Sequence, residues 1–210
     1  MTGRVAIVTG GTGALGQSIV LRFLRDGASV AVPWVVAEEW ATLESRAADA
    51  RPRLHGLRAD VTDEAAMAAF LSDVLGRLQR VDVLVNAVGG FAGGDLASTP
   101  LPEWRRMMDL NLTSAVISSR AVIPPLGGFI AYTVAKSGII ALTQALAQEV
   151  RGHGITVNAV MPSTMDTAAN RRAMPDADRS GWVSTEAVAD VIAYLASDGA
   201  GAVSGAYIPV

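Results

Sequence analysis

Short β-branched runs and helical stretches alternate along the whole chain, and no other feature limits the fold as tightly. Residues 4–9 form a β-branched run that ends in glycines; helical spacing follows over Ala14–Arg25 and stops at Gly27. Residues 28–32 read as a second strand, 37–50 as a helix, Leu54–Arg58 as a third strand and 63–80 as a helix. Residues 81–85 (VDVLV) are apolar enough for a strand buried on both faces. A glycine-rich loop at 89–94 precedes helical patterns over 102–122 and 131–150, the second with a stop signal at Gly152. Residues 155–160, 185–196 and 206–210 complete the series as strand, helix and strand. Alternation at this spacing predicts βαβ units. The expected fold is α/β: a single doubly wound Rossmann-type parallel sheet with helices on both faces, formed by residues 1–210 as one domain.

Composition narrows the function. Half of the 210 residues are hydrophobic, 18% are charged and the formal net charge is −3. Such a chain can bury a sizeable core and is not disordered. It has no basic cluster for nucleic-acid phosphates. With no cysteine and only His55 and His153, neither a thiolate nor a histidine-rich metal site is expected. No apolar run approaches the roughly 18 residues that a membrane span needs. Met1 to Arg4 lead directly into the first strand without a signal-peptide layout. The expectation is a soluble cytoplasmic protein that binds a small molecule, with no metal, nucleic acid or membrane partner.

The turn between the first strand and the first helix reads Thr9-Gly10-Gly11-Thr12-Gly13-Ala14-Leu15-Gly16. Glycines permit a tight turn and let backbone N–H groups approach a pyrophosphate, to which the helix N-terminus adds partial positive charge. Its place after a strand and before a helix points to a nucleotide site rather than an ordinary flexible turn.

A second pattern involves Tyr132 and Lys136, four apart on a helix and therefore on one face. Of 17 basic residues, 16 are arginine and Lys136 is the sole lysine. An ammonium beside a phenol favours the phenolate, which equips a tyrosine to exchange a proton with a carbonyl or hydroxyl at neutral pH. Lysine is a compact, rotatable donor able to reach a ribose, which the planar arginine fork does not replace.

These residues resemble the short-chain dehydrogenase/reductase family, whose loop reads TGxxxGxG; here Ala14 replaces the middle glycine. The resemblance spans nearly the whole chain. It includes Asp60-Val61 after the third strand, Asn86-Ala87-Val88-Gly89 after the fourth, Asn111, Tyr132xxxLys136, and Pro162-Ser163-Thr164 after the strand at 155–160, the sixth by the family's count. It implies an NAD(P)-dependent oxidoreductase. Gly10, Thr12, Gly13, Leu15, Gly16, Trp34, Asp60, Val61, Asn86, Ala87, Val88, Gly89, Tyr132, Lys136, Pro162, Ser163 and Thr164 would then lie along the cofactor. Tyr132 is the implied proton donor and acceptor, Lys136 lowers its pKa and holds the ribose, and Asn111 organises a water that relays protons to the lysine. A local side-chain-to-backbone bond is the plainer role for Asn111, and N-cap, turn and strand-end roles are the plainer ones for Asp60, Asn86 and Pro162. The resemblance also implies a homodimer or homotetramer built on the helices at 102–122 and 131–150, the second of which carries small residues from Ala131 to Ala145.

The family pattern breaks between Pro124 and Phe129. The family has a strand there, carrying a catalytic serine, and this chain has neither; about twenty residues are missing by family spacing. A central strand lost from a parallel sheet leaves N–H and C=O groups unpaired. Either residues are omitted and the backbone is broken there, or the strand is truly deleted. True deletion would favour the rival reading, a catalytically inactive dinucleotide-binding sensor or scaffold.

The segments 89–94 and 166–178 and the loop GGTGALG are similar to the dihydropteridine reductases of the family, which use NADH and the Tyr–Lys pair without the serine. This implies a carbonyl/hydroxyl or a pteridine-like, quinonoid substrate, with Phe91, Met165 and Met174 lining its pocket. Trp34 stands where NAD enzymes of the family carry an acid, and Gly13 and Val35 stand where NADP enzymes carry a basic residue. The missing basic clamp tilts the expectation from NADP towards NAD.

Overall fold

The computed structural model describes residues 1–123 and 128–210. The backbone break expected between Pro124 and Phe129 falls on a stretch of which residues 124–127 lie outside the described residues. The chain divides into two compact units, Met1–Leu126 and Gly127–Val210.

The first unit is built on four parallel strands in the order β3-β2-β1-β4: β1 (Val5–Thr9), β2 (Ser29–Trp34), β3 (Leu54–Arg58) and β4 (Val83–Asn86). Side chains alternate across a strand, and the two cores follow that alternation. Val8, Val30 and Val32 face α1 (Ala14–Arg25) and α2 (Ala37–Ala47), packing with Val20, Leu24, Trp40 and Leu43. Val5, Ile7 and Ala31 face the opposite side, against Met67, Phe70 and Val74 of α3 (Glu64–Leu78) and Ile117 of α5 (Ser114–Val122). Helices on both faces of a parallel sheet make this an α/β Rossmann-type fold.

Local signals set the boundaries. Gly27 ends α1 with φ +89°, and Asp63 caps α3 by accepting from Ala65 N–H at 2.8 Å. The stretch 37–50 yields a shorter α2, because a 3-10 segment takes over at Ala48–Arg53 and contains Pro52. The stretch expected as one helix over 102–122 is instead α4 (Leu101–Met108), one turn of π-helix at Asp109–Thr113, and α5.

In the second unit, α6 (Ile130–Glu149) leads to β5 (Ala159–Met161), then α7 (Ala168–Ala173), α8 (Thr185–Leu195) and β6 (Tyr207–Pro209), with β5 and β6 parallel. Asn158 ties the strand pair to its connection, donating to the Val203 carbonyl at 2.9 Å and accepting from Ala206 N–H at 3.1 Å. Strand β5 is shorter than the expected 155–160, and α7 had no clear sequence signal. The turn after α6 is made by Gly154, at φ +69°, rather than Gly152. Among the described residues, β4 pairs with β1 alone and β5 with β6 alone.

One expectation needs correction. Helix α6 is 20 residues long with a mean hydropathy of 1.3, enough to cross a membrane by length and composition. Its mean comes from Ile, Leu, Val and Ala spaced between polar groups such as Lys136 and Gln144, which break any continuous apolar run.

Candidate active site

The loop between β1 and α1 closes by close backbone approach. Gly10 has φ +68°, and a Cβ there would sit 2.7 Å from the Ala87 carbonyl carbon. A Cβ on Gly16 would sit 1.9 Å from the Gly10 carbonyl oxygen. Both positions therefore require glycine. Gly13 is different: it is the N-cap of α1 at φ −74°, and an added Cβ would come no closer than 3.4 Å to other atoms. No side chain caps α1 and its first turn holds no acid, so its leading N–H groups stay available to an anion. Beneath the loop, the Gln17 amide donates to the Thr12 carbonyl at 2.7 Å and accepts from Arg46.

A cleft of about 690 Å³ opens above the carboxyl ends of the strands of the first unit. Gly10 and Thr12 line it with Asp60, Val61 and Val88. Asp60 Oδ1 is held by Thr62, accepting from its N–H at 2.8 Å and its hydroxyl at 2.7 Å. Ala87 N–H bonds the Thr9 carbonyl at 3.2 Å, and the Asn86 amide donates to Ser119 Oγ at 3.3 Å, so the second loop is anchored beside the first. Gly13, Leu15, Gly16, Asn86, Ala87 and Gly89 frame the two loops without lining the cleft. Trp34 turns to the helix face, where its ring stacks on Trp40 with centroids 6.1 Å apart; Pro33 and Val35 line the cleft instead.

Sequence reasoning missed the α4 wall. Pro102, Arg105, Arg106, Asp109 and Leu110 also line the cleft. The tandem arginines six and five residues before Asn111 were the available signal. Arg106 is held by Glu103 through Nε at 2.8 Å and Nη2 at 2.6 Å, and this pairing keeps the Glu103 carboxyl below its usual range.

Asn111 sits in the π turn. Its amide donates to the Met107 carbonyl at 2.9 Å, and its Oδ1 accepts from Gly90 N–H at 2.9 Å. The local backbone bond weighed for Asn111 is thus present, extended by a clamp on the loop at 89–94. Phe91, in that loop, is 92% exposed.

In the second unit, Tyr132 and Lys136 share one face of α6, and Lys136 Nζ lies 5.6 Å from the Tyr132 ring centroid. Pro162 follows β5; Ser163 N–H donates to the Val210 carbonyl at 2.8 Å and the Thr164 carbonyl accepts from Val183 N–H at 3.0 Å. Met165 bridges to Val183 in a parallel pairing, and Met174 ends α7. Among the described residues no group of three metal-ligating side chains occurs.

This arrangement is that of a Rossmann-type dinucleotide fold with a Tyr–Lys helix, and comparison with known proteins places it. Residues 4–128 match the family model for short chain dehydrogenase, and residues 126–210 match that for enoyl-(acyl carrier protein) reductase. The chain belongs to the short-chain dehydrogenase/reductase family and is an oxidoreductase of the class that uses a nicotinamide cofactor. A meso-2,3-butanediol dehydrogenase from Serratia marcescens is 29% identical, over 99% of this chain and 92% of that one. A 3-oxoacyl-acyl-carrier-protein reductase from Pseudomonas aeruginosa is 32% identical, over 100% of this chain and 96% of that one. The solved short-chain dehydrogenase/reductase from Serratia marcescens BCRC 10948 is 28% identical with a TM-score of 0.56, covering 100% of this chain and 96% of that one. The two sequence alignments run over 238 and 243 positions against 210 residues, so each relative carries at least 28 residues with no counterpart here.

Proposed function

We propose that the protein interconverts a carbonyl and a hydroxyl group on a small molecule, with NAD as the preferred cofactor and Tyr132 as the group that gives or takes the proton. The single observation that carries this reading is the sole lysine of the chain lying one turn from Tyr132 on the same face of α6. The loop at 9–16 fits the cofactor, because Gly10 and Gly16 are required by close backbone approach and the N–H groups at the start of α1 are not capped by a side chain. In the first unit, Gly10 and Thr12 take the pyrophosphate, Asp60 with Val61 meets the adenine, and the loop of Asn86, Ala87, Val88 and Gly89 lies along the cofactor; in the second unit, Pro162, Ser163 and Thr164 are the segment that the family resemblance assigns to the nicotinamide. A bound nicotinamide supplies or accepts the hydride. Lys136 stabilises the phenolate of Tyr132 and binds the ribose, and Asn111 holds the loop at 89–94 while supporting proton return.

The relatives support a carbonyl/hydroxyl substrate, since the butanediol dehydrogenase and the oxoacyl reductase are named for such groups. Exposed Phe91, in a loop similar to that of the pteridine-reducing members of the family, favours a flat aromatic or pteridine-like substrate as the second reading. The same proposal takes residues 1–210 as one domain, working as a cytoplasmic homodimer or homotetramer. Initial rates of NADH and NADPH oxidation against a panel of diketones, quinones and quinonoid pteridines test it. No turnover with any of them, despite nucleotide binding, would favour the inactive sensor. Sedimentation at micromolar concentration tests the assembly, and a monomer alone would refute it.

A further inference from the structure

The Thr12 hydroxyl donates to Glu39 Oε2 at 2.8 Å, across 27 residues of sequence. Thr12 lines the cleft from the phosphate loop, and Glu39 lies in the first turn of α2. We propose that Glu39 is the residue that selects the cofactor, taking over from the β2 terminus the task of accepting the ribose hydroxyls and repelling a 2′-phosphate. The inference rests on the nucleotide reading of the cleft given above.

Three observations lead to it. First, the β2 terminus cannot do this itself, because Trp34 faces the helices and stacks on Trp40. Second, that stack fixes α2 where its first turn reaches the loop: Trp40 is buried, and its N–H bonds the Val36 carbonyl at 3.1 Å. Glu39 is itself exposed, and its carboxylate is held by the Thr12 hydroxyl. Third, the adenosine ribose joins the pyrophosphate through its 5′ oxygen, so a pyrophosphate on the start of α1 brings the ribose beside Thr12. A carboxylate there accepts hydrogen bonds from two hydroxyls but repels a phosphate dianion. The opposite charge lies on the other wall, on Arg105 and Arg106 of α4, which line the cleft with Asp60 and Asp109. Arg106 is already committed to Glu103.

Calorimetric titration of the protein with 5′-AMP and with 2′,5′-ADP tests this without any turnover. The wild type should bind 5′-AMP about tenfold more tightly. Glu39→Gln should bring the two affinities within about twofold by strengthening 2′,5′-ADP, while Glu39→Asp, which keeps the charge, should retain most of the preference. Arg105→Ala should leave the ratio unchanged. Equal binding by the wild type, or an unchanged ratio in Glu39→Gln, would overturn the assignment to Glu39 and leave the nucleotide reading standing. A ratio that responds to Arg105→Ala instead would move the selecting role to α4. Failure of the wild type to bind either nucleotide would remove the nucleotide reading itself. Circular dichroism of each variant confirms that a changed ratio does not come from unfolding.

Discussion

Lys136 Nζ lies 5.6 Å from the centre of the Tyr132 ring, one turn further along α6. A cation within about 6 Å of an aromatic face is attracted to it, so the lysine stays near the phenol by ring contact as well as by helix register. Tyr132→Phe removes only the transferable proton. It should lower kcat by about two to four orders of magnitude and leave the dissociation constant for NADH nearly unchanged. Lys136→Arg keeps the charge but changes its shape, and kcat should fall severely here too. Stopped-flow and equilibrium fluorescence with NADH separate the two readouts; an active Arg variant would sink the argument from the sole lysine.

Local chemistry made much of this legible. The limits of α1 followed from its flanking glycines and the β-branched run before it, and those of β3 from its place between two helical patterns. The Gly10, Thr12, Asp60, Val61 and Val88 group could be read because each follows a strand, and strand ends in a parallel sheet converge on one edge. The α4 wall could not, since Arg105 and Arg106 look like solvated surface until the helix is placed over the cleft. The π turn at Asp109–Thr113 left no compositional mark. Trp34 was misplaced for a simpler reason: alternation along β2 sends it to the face of Val30 and Val32, and only Pro33 and Val35 point to the cleft.

The two loop glycines at the start of α1 should respond differently to the same change. Gly16→Ala puts a methyl 1.9 Å from a backbone oxygen, which forces the loop to move. The expected cost is about 3 kcal/mol of stability, with loss of 5′-AMP binding. Gly13→Ala meets nothing closer than 3.4 Å and should cost about 1 kcal/mol or less, as an N-cap change. Thermal melts and nucleotide titrations of both variants check this, and equal effects would contradict the geometry of the loop.

His55 on β3 is held below its ordinary value, first by burial and then by the guanidinium groups of Arg77 and Arg51, with Asp73 opposing. The unfolded chain therefore binds a proton at this site more readily than the folded one. Stability should be unaffected by His55 above about pH 6.5 and should fall as the pH drops below that value. Urea midpoints between about pH 7.5 and 5.5 measure it. His55→Gln should flatten that slope, and an unchanged slope in the variant would show that another group is responsible.

The outer edge of β4 is unpaired among the described residues, although Val83, Leu84 and Val85 read as a strand for the middle of a sheet. A parallel strand with one open edge leaves its outward amides to water and lacks part of its apolar cover. The two family models meet at residues 126–128, and the relatives carry at least 28 residues that this chain lacks. An intact mass of 21.7 kDa would establish that the protein itself lacks them. Grafting the relevant segment of the Pseudomonas aeruginosa relative after Ile123 then tests what the absence costs. A strand that pairs with β4 adds several backbone hydrogen bonds at about 1 kcal/mol each, so Tm should rise by about 5–10 °C. Amides of β4 should exchange more slowly in the grafted chain, and kcat should rise if the grafted serine assists Tyr132. A graft that leaves Tm and the exchange of β4 unchanged would mean that this edge is already satisfied, and that the sheet of this protein ends at β4.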